Sequence, residues 1–232
     1  MTTTTPTLRR DLAISLGALL LLLAWDLSGL DLTAAHLFGT SQGFPLRDSF
    51  VTSRLLHDGG RMAAWALMAL LVLATLLAPP VDEPGHPSRA ERWRWIAVML
   101  VAIVAVPAIK RISHTSCPWD LSIFGGTAEY VSHWRLGVTD GGGGRCFPSG
   151  HAVAAFGFFG LHFLWREHDA KVARAWLVVV LLVGGFFGAA QLARGAHYPS
   201  HTLWSAWLCW VICMGAAQWL PRGTRRVHAA TA

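Results

Sequence analysis

The sequence predicts an all-α integral membrane protein, a bundle of six transmembrane helices with a polar active-site face outside the cytoplasm. Three observations carry that prediction. Of the 232 residues, 53% are apolar and only 14% charged, a balance that excludes an ordinary water-soluble globule. The apolar residues fall into six runs, and a helix needs about 20 residues to cross a hydrocarbon core of roughly 30 Å. The chain also holds 12 tryptophans, a residue that favours the membrane–water boundary.

Taken in order, Met1 to Arg10 is a threonine-rich polar tail ending in two arginines. The run Leu12 to Trp25 follows, closed by Asp26. Its length also fits a signal-peptide core, but no small-residue cleavage site follows. It extends to Leu30 if Asp26 faces other helices, so it reads as a retained first span. Thr33 to Arg61 is mixed, a loop with an interfacial helix. Met62 to Ala78 is the second span, stopped by Pro79-Pro80. Trp93 to Ile109 is the third, ending at Lys110, and Ala152 to Trp165 the fourth. Val172 to Ala190 and Thr202 to Leu220 complete the six. The expected division is a tail over 1–11, a membrane domain over 12–220 and a basic tail over 221–232.

An even number of spans puts both termini on one side. Arg9, Arg10, Arg89, Arg92, Arg94, Arg166, Lys171, Arg174, Arg222, Arg225 and Arg226 lie on that side. They outnumber Arg47, Arg54, Arg61, Lys110, Arg111, Arg135, Arg145 and Arg194 on the other, so both termini are expected in the cytoplasm. The net charge of +6 is accounted for by these short connections, and no nucleic-acid partner is expected.

The chemistry centres on Arg145-Cys146-Phe147-Pro148-Ser149-Gly150-His151, directly before an apolar run. Serine can cap the helix that follows, and a helix N-terminus suits an anion such as phosphate. Gly150 admits a close approach to the main chain, and His151 can hand a proton to the anion's ester oxygen. Alone, the motif reads more readily as an ordinary capped helix. The parity of the spans adds weight. Lys110 leaves span three, His151 starts span four, Arg194 and His197 follow span five, and His201 opens span six. All fall on one non-cytoplasmic face, and ionisable groups at membrane depth are costly and usually functional.

On these residues the chain resembles the type 2 phosphatidic acid phosphatase family, membrane lipid phosphatases with three motifs. The second, Pro-Ser-Gly-His, is intact at Pro148 to His151. The first, Lys-x6-Arg-Pro, appears as Lys110 to Pro118 with Cys117 in place of arginine. The third, Arg-x5-His-x3-Asp, appears as Gln191 to His201. There His197 matches, Gln191 replaces arginine and His201 replaces aspartate. The resemblance implies that His197 is the nucleophile, forming a phosphohistidine, and that His151 is the general acid. It further implies that Lys110, Ser149 and Gly150 hold the phosphoryl oxygens. His201 would have to serve as the partner of His197, with help from Asp120, Glu129 or Asp140. Arg194, one helical turn after Gln191, and Arg145 are candidates to replace the two missing arginines.

Cys117 and Cys146 both lie on the outer face and are a disulfide candidate. Cys209 and Cys213 read as buried apolar residues. No metal and no cofactor is expected, although His197, His201 and His151 leave zinc as a weaker reading. The expected partners are the bilayer and a lipid phosphate, and the expected location a bacterial inner membrane with the site facing the periplasm. A lipid-to-lipid phosphotransferase and an impaired lipid-phosphate binding or transport protein remain alternatives.

Overall fold

The computed structural model describes residues 6–78, 85–135 and 137–220. The basic tail from Pro221, the first five residues and the Pro79-Pro80 stop lie outside that range. The described residues are helical, with only isolated bridges at Thr40–Gly43 and Leu121–Ala128 and no strand.

The chain begins with α1 (Pro6–Ser28) and a short α2 (Leu30–His36), separated by Gly29 in the left-handed region. A π-helix (Phe50–Gly59) then runs directly into α3 (Gly60–Leu77), so the second apolar helix starts well before the expected Met62. The side chain of Ser49 caps it by accepting from Thr52 N at 3.2 Å. The interfacial loop expected over Thr33 to Arg61 therefore contains most of a helix. Next comes α4 (Arg89–Arg111), opened by a capping box in which Ser88 and Glu91 satisfy each other's main chain. After a long irregular segment come α5 (Val153–Phe156), α6 (Phe159–Trp165), α7 (Ala170–Ala193) and α8 (Pro199–Trp219).

Among the described residues, four helical stretches are long and apolar enough to cross a membrane: Thr7–Ser28, Phe50–Leu77, Arg89–Arg111 and Ala170–Ala193. Their outer faces expose Leu21, Leu27, Leu77, Leu182 and other large apolar side chains, as lipid-facing surfaces do. The run expected as a fourth continuous span is instead two short helices joined at Gly157 and Phe158. Every residue from Phe159 to Leu164 is buried. It is apolar all round because protein surrounds it, with α4, α7 and α8 packed against it.

Small residues make that packing possible. A Cβ at Gly157 would meet Ile103 at 2.7 Å and one at Gly160 would meet Met99 at 2.6 Å. On α7, Gly184 lies under the Phe156 ring and Gly188 under Thr202. Close approach through small residues is how helices gain packing energy when lipid removes the usual hydrophobic drive. The core centres on α8, whose Cys209 and Cys213 are fully buried and free, as expected.

At one end of the bundle Arg166 pairs with the buried Asp11 at 2.5 Å, and His168 lies 3.2 Å from Glu91. At the other end two carboxylates tie α1 and α2 to α8. Asp26 accepts from Trp204 Nε1 at 2.9 Å and Trp134 Nε1 at 3.0 Å. Asp26 thus faces other elements, the condition on which the first span extends. Asp31 accepts from Trp25 Nε1 at 2.8 Å, from Ser200 N at 3.1 Å and from the Ser200 hydroxyl. A carboxylate on the first turn of α8 also complements the positive end of its dipole. This anchors the helix that carries His201.

Candidate active site

The end of the bundle holding Asp26 and Asp31 is where the C-termini of α4 and α7 meet the N-termini of α5 and α8. Lys110 comes from the last turn of α4 and its side chain lies over Gly150. A Cβ built there would stand 3.5 Å from Lys110 Cδ and 3.9 Å from Nζ. Ser149 is wholly buried and joins two elements. Its N–H donates to His201 O at 3.1 Å, its carbonyl accepts from Ser205 Oγ at 2.8 Å, and its hydroxyl accepts from Ala152 N at 3.4 Å. The N-cap of α5 is Ala152, with no side-chain cap, so Ser149 holds the turn before the helix and does not cap it as the sequence led one to expect.

Gly195, in the left-handed region at φ 71°, ends α7 and turns the chain back. A Cβ here would lie 2.4 Å from the Phe44 ring, and the Gly195 carbonyl accepts from Trp119 N at 2.9 Å. That turn delivers His197, which is buried. Its Nδ1 lies 3.5 Å from Cys146 Sγ. Burial holds the His197 imidazole well below the ordinary histidine range, and Lys110, His201 and His151 push it the same way. Burial also pushes His151 down, to about 4, with further lowering from His57, Arg194 and Lys110. Both rings are therefore neutral in the free site.

Arg194 is buried beside Gln191, with Nη1 3.4 Å from Gln191 Oε1 and Nε donating to Arg47 O at 2.9 Å. The guanidinium also lies 5.8 Å from the Trp119 ring centre. Arg145 goes elsewhere. It adopts φ 57°, is exposed, and lines an outward cleft of about 440 Å³ with Arg111, His114 and the glycine run. The turn that sends Cys146 inward sends its neighbour out.

His201 is buried, with its ring centre 5.8 Å from that of His197. No hydrogen bond joins the two rings among the described residues. The Cys146 main chain faces both imidazoles instead. The three loop carboxylates are engaged away from the site. Asp140 accepts from Ser116 N at 2.6 Å and Ser116 Oγ at 2.7 Å, Asp120 faces Cys117 N, and Glu129 faces Ser122. The carboxylate that sequence reasoning missed is Asp26, which lies 3.3 Å from His133 Nε2, and the His133 ring stands 5.7 Å from that of His201.

Cys117 and Cys146 form a disulfide with Cα atoms 5.2 Å apart. Their sulfur atoms and a ring nitrogen of His197 all lie within 4.8 Å of one another, the only such donor cluster among the described residues. A disulfide uses both thiols, so this set does not fit a resident zinc ion. The bond pins Cys146 against His197. Replacing both cysteines by serine is expected to lower kcat about ten-fold with little change in KM, because orientation is lost and substrate contacts are not. Steady-state kinetics checks it, and an unchanged kcat would show that the tether is dispensable.

Three buried nitrogens here have no hydrogen-bond partner among the described residues: His151 Nε2, His201 Nδ1 and Gln191 Nε2. Buried polar atoms are nearly always satisfied, so such a cluster marks where a ligand belongs. Lys110 and Arg194 add positive charge, and neither forms an ion pair with a described carboxylate. The arrangement suits an anion. No curated protein and no solved structure matches the chain. The family model of the PAP2 superfamily matches residues 92–225, which include every motif residue above. The chain therefore belongs to the PAP2 superfamily, whose members are generally phosphatases acting on phosphate esters.

Proposed function

We propose that the protein is a six-span membrane phosphatase that hydrolyses a phosphate monoester or diphosphate of a lipid through a phosphohistidine, with its site facing the periplasm. The observation that carries the reading is the meeting of two cations and three buried imidazoles with no carboxylate bonded to any of them among the described residues. That environment favours a dianionic phosphoryl group over every common alternative.

The chemistry follows from the placement. With its Nδ1 against the disulfide, His197 offers the Nε2 lone pair to phosphorus, forming a P–N bond as the P–O bond to the lipid breaks. The bound dianion raises the proton affinity of His151, whose imidazolium then gives its Nε2 proton to the departing oxygen. Lys110, Arg194 and the Ser149–Gly150 main chain hold the equatorial oxygens. Water then attacks phosphorus, His151 takes its proton, and inorganic phosphate leaves His197 free. His201 stands behind His197 in the position the family gives to aspartate.

A lipid substrate is supported by an apolar crevice of about 130 Å³ between α3, α5 and α7. Phe187 lines it and its ring centre lies 5.3 Å from that of His151, so a hydrocarbon chain can rest beside the reacting group. For the six spans, the four long helices are joined by α8, 21 residues long, and by the buried α5–α6 pair. In this topology residues 12–220 form the membrane domain, and both tails lie in the cytoplasm of a bacterial inner membrane.

The test is phosphate release in excess EDTA from phosphatidic acid, phosphatidylglycerol phosphate, a polyprenyl diphosphate and a lipid A phosphate. Release from at least one, unaffected by chelator, is expected. Loss of activity in EDTA would return the zinc reading. Transfer to a second lipid without free phosphate would indicate a phosphotransferase. Tight binding without turnover would indicate a binding or transport protein.

A further inference from the structure

We propose that His57 is a positioning residue for His151, and that the segment from Arg47 to His57 forms one wall of the active site. The proposal rests on His151 being the general acid. None of this segment belongs to the three motifs, and all of it precedes the family-matched residues 92–225.

The rings of His57 and His151 stack, with centres 4.5 Å apart and planes inclined by 16°. Phe187 of α7 approaches the same imidazole at 5.3 Å and 50°. The two clamping rings are themselves linked, because Phe187 packs on Gly60, three residues after His57. A Cβ at Gly60 would lie 2.7 Å from the Phe187 ring. His151 is therefore held by rings from two elements that are locked to each other.

The main chain of the same segment supplies the polar half of the grip. The Leu56 carbonyl faces the His151 ring, while Nε2 has no partner among the described residues. A carbonyl met through Nδ1–H leaves Nε2 free, the nitrogen that carries the acidic proton once the anion binds. A carbonyl has two lone pairs, and Leu56 O also accepts from Gly60 N, the residue that continues the helix. Nine residues earlier, Arg47 O accepts from Arg194 Nε at 2.9 Å. One segment thus orients both the acid and an oxyanion-binding arginine through carbonyl groups.

The segment is stiffened for that duty. Thr52 Oγ1 donates to Leu46 O at 2.5 Å, and Ser49 caps the turn. On the outer side Asp58 lies 3.1 Å from His57 Nδ1 and 3.7 Å from Arg54. The π-helical winding of Phe50–Gly59 is itself a form that recurs at functional sites.

The experiment compares His57→Ala and His57→Phe on two substrates. One is an alkyl phosphate lipid, whose alkoxide needs protonation to leave. The other is an aryl phosphate, whose phenolate leaves unaided. His57→Ala is expected to lower kcat on the lipid about ten-fold, with KM within about two-fold, since orientation forfeits only part of what a general acid provides. The burst of phenol from the aryl phosphate, which comes before the step in which His151 acts as base, is expected to stay at the wild-type rate, which also shows that the variant folds. His57→Phe restores a stacked ring and is expected to recover most of the lipid activity. Unchanged kcat on the lipid, an equal loss of the aryl burst, or failure of Phe to recover activity would each overturn the proposal. His151→Ala is the control. If it retains lipid hydrolysis, the catalytic assignment fails. If it is inactive on the lipid while His57→Ala keeps the wild-type kcat, only the role of His57 fails.

Discussion

His197→Ala is expected to lower phosphate release by about a thousand-fold or more and to leave no acid-labile phosphoryl label on the protein. The imidazole is buried, and Cys146 Sγ stands 3.5 Å from its Nδ1. The same burial sets the pH dependence. Taking a ring out of water penalises its charged form, so His197 binds a proton only below the ordinary range. The nucleophile therefore stays neutral as pH falls through about 6.5, the unperturbed histidine value. The acid-side loss of kcat/KM is expected below that pH and not at it. Quenched-flow labelling and a pH–rate profile check both statements. A labelled, active His197→Ala protein would remove this residue from the chemistry.

Lys110→Ala is expected to cost about 10²- to 10³-fold in kcat/KM, the usual loss when one donor to a developing phosphoryl charge is removed. The side chain lies over Gly150 without a carboxylate partner, and it acts electrostatically on His151, His197 and His201 alike. Inhibition by inorganic phosphate should weaken in parallel, since product and substrate share the same oxygens. Lys110→Arg is expected to recover part of both, with a planar fork replacing a point charge. Wild-type kcat/KM and wild-type phosphate inhibition in Lys110→Ala would show that the ammonium does not meet the anion.

The motif residues were legible because their chemistry is unusual for their surroundings. Lys110, His151, Arg194, His197 and His201 interrupt apolar runs, and counting span ends placed them together before any coordinate did. Arg194 shows how far local spacing reaches. One helical turn from Gln191, it lies against that side chain at 3.4 Å. Arg145 shows where spacing stops, because a left-handed backbone turn at that residue points it into the outer cleft.

The α5–α6 pair marks a second boundary. A helix wrapped by other helices and a helix wrapped by lipid are apolar on every side, so hydropathy alone could not separate them. The π-helix was hidden for the opposite reason. Its polar residues face a site and a loop, and they gave Thr33 to Arg61 the look of a connection.

By itself the sequence determined the helical membrane class, the PAP2 motifs and the cationic and imidazole residue types of the site, because these depend on composition and on short-range order. Only the tertiary structure decided what orients them. His57, Asp26, Asp31 and the carbonyl groups of Arg47, Leu56 and Cys146 act through contacts between segments far apart in the chain. A main-chain carbonyl has the same chemistry at every position, so nothing in its residue's name announces the role; only the folded path of the backbone brings it to the ring it holds.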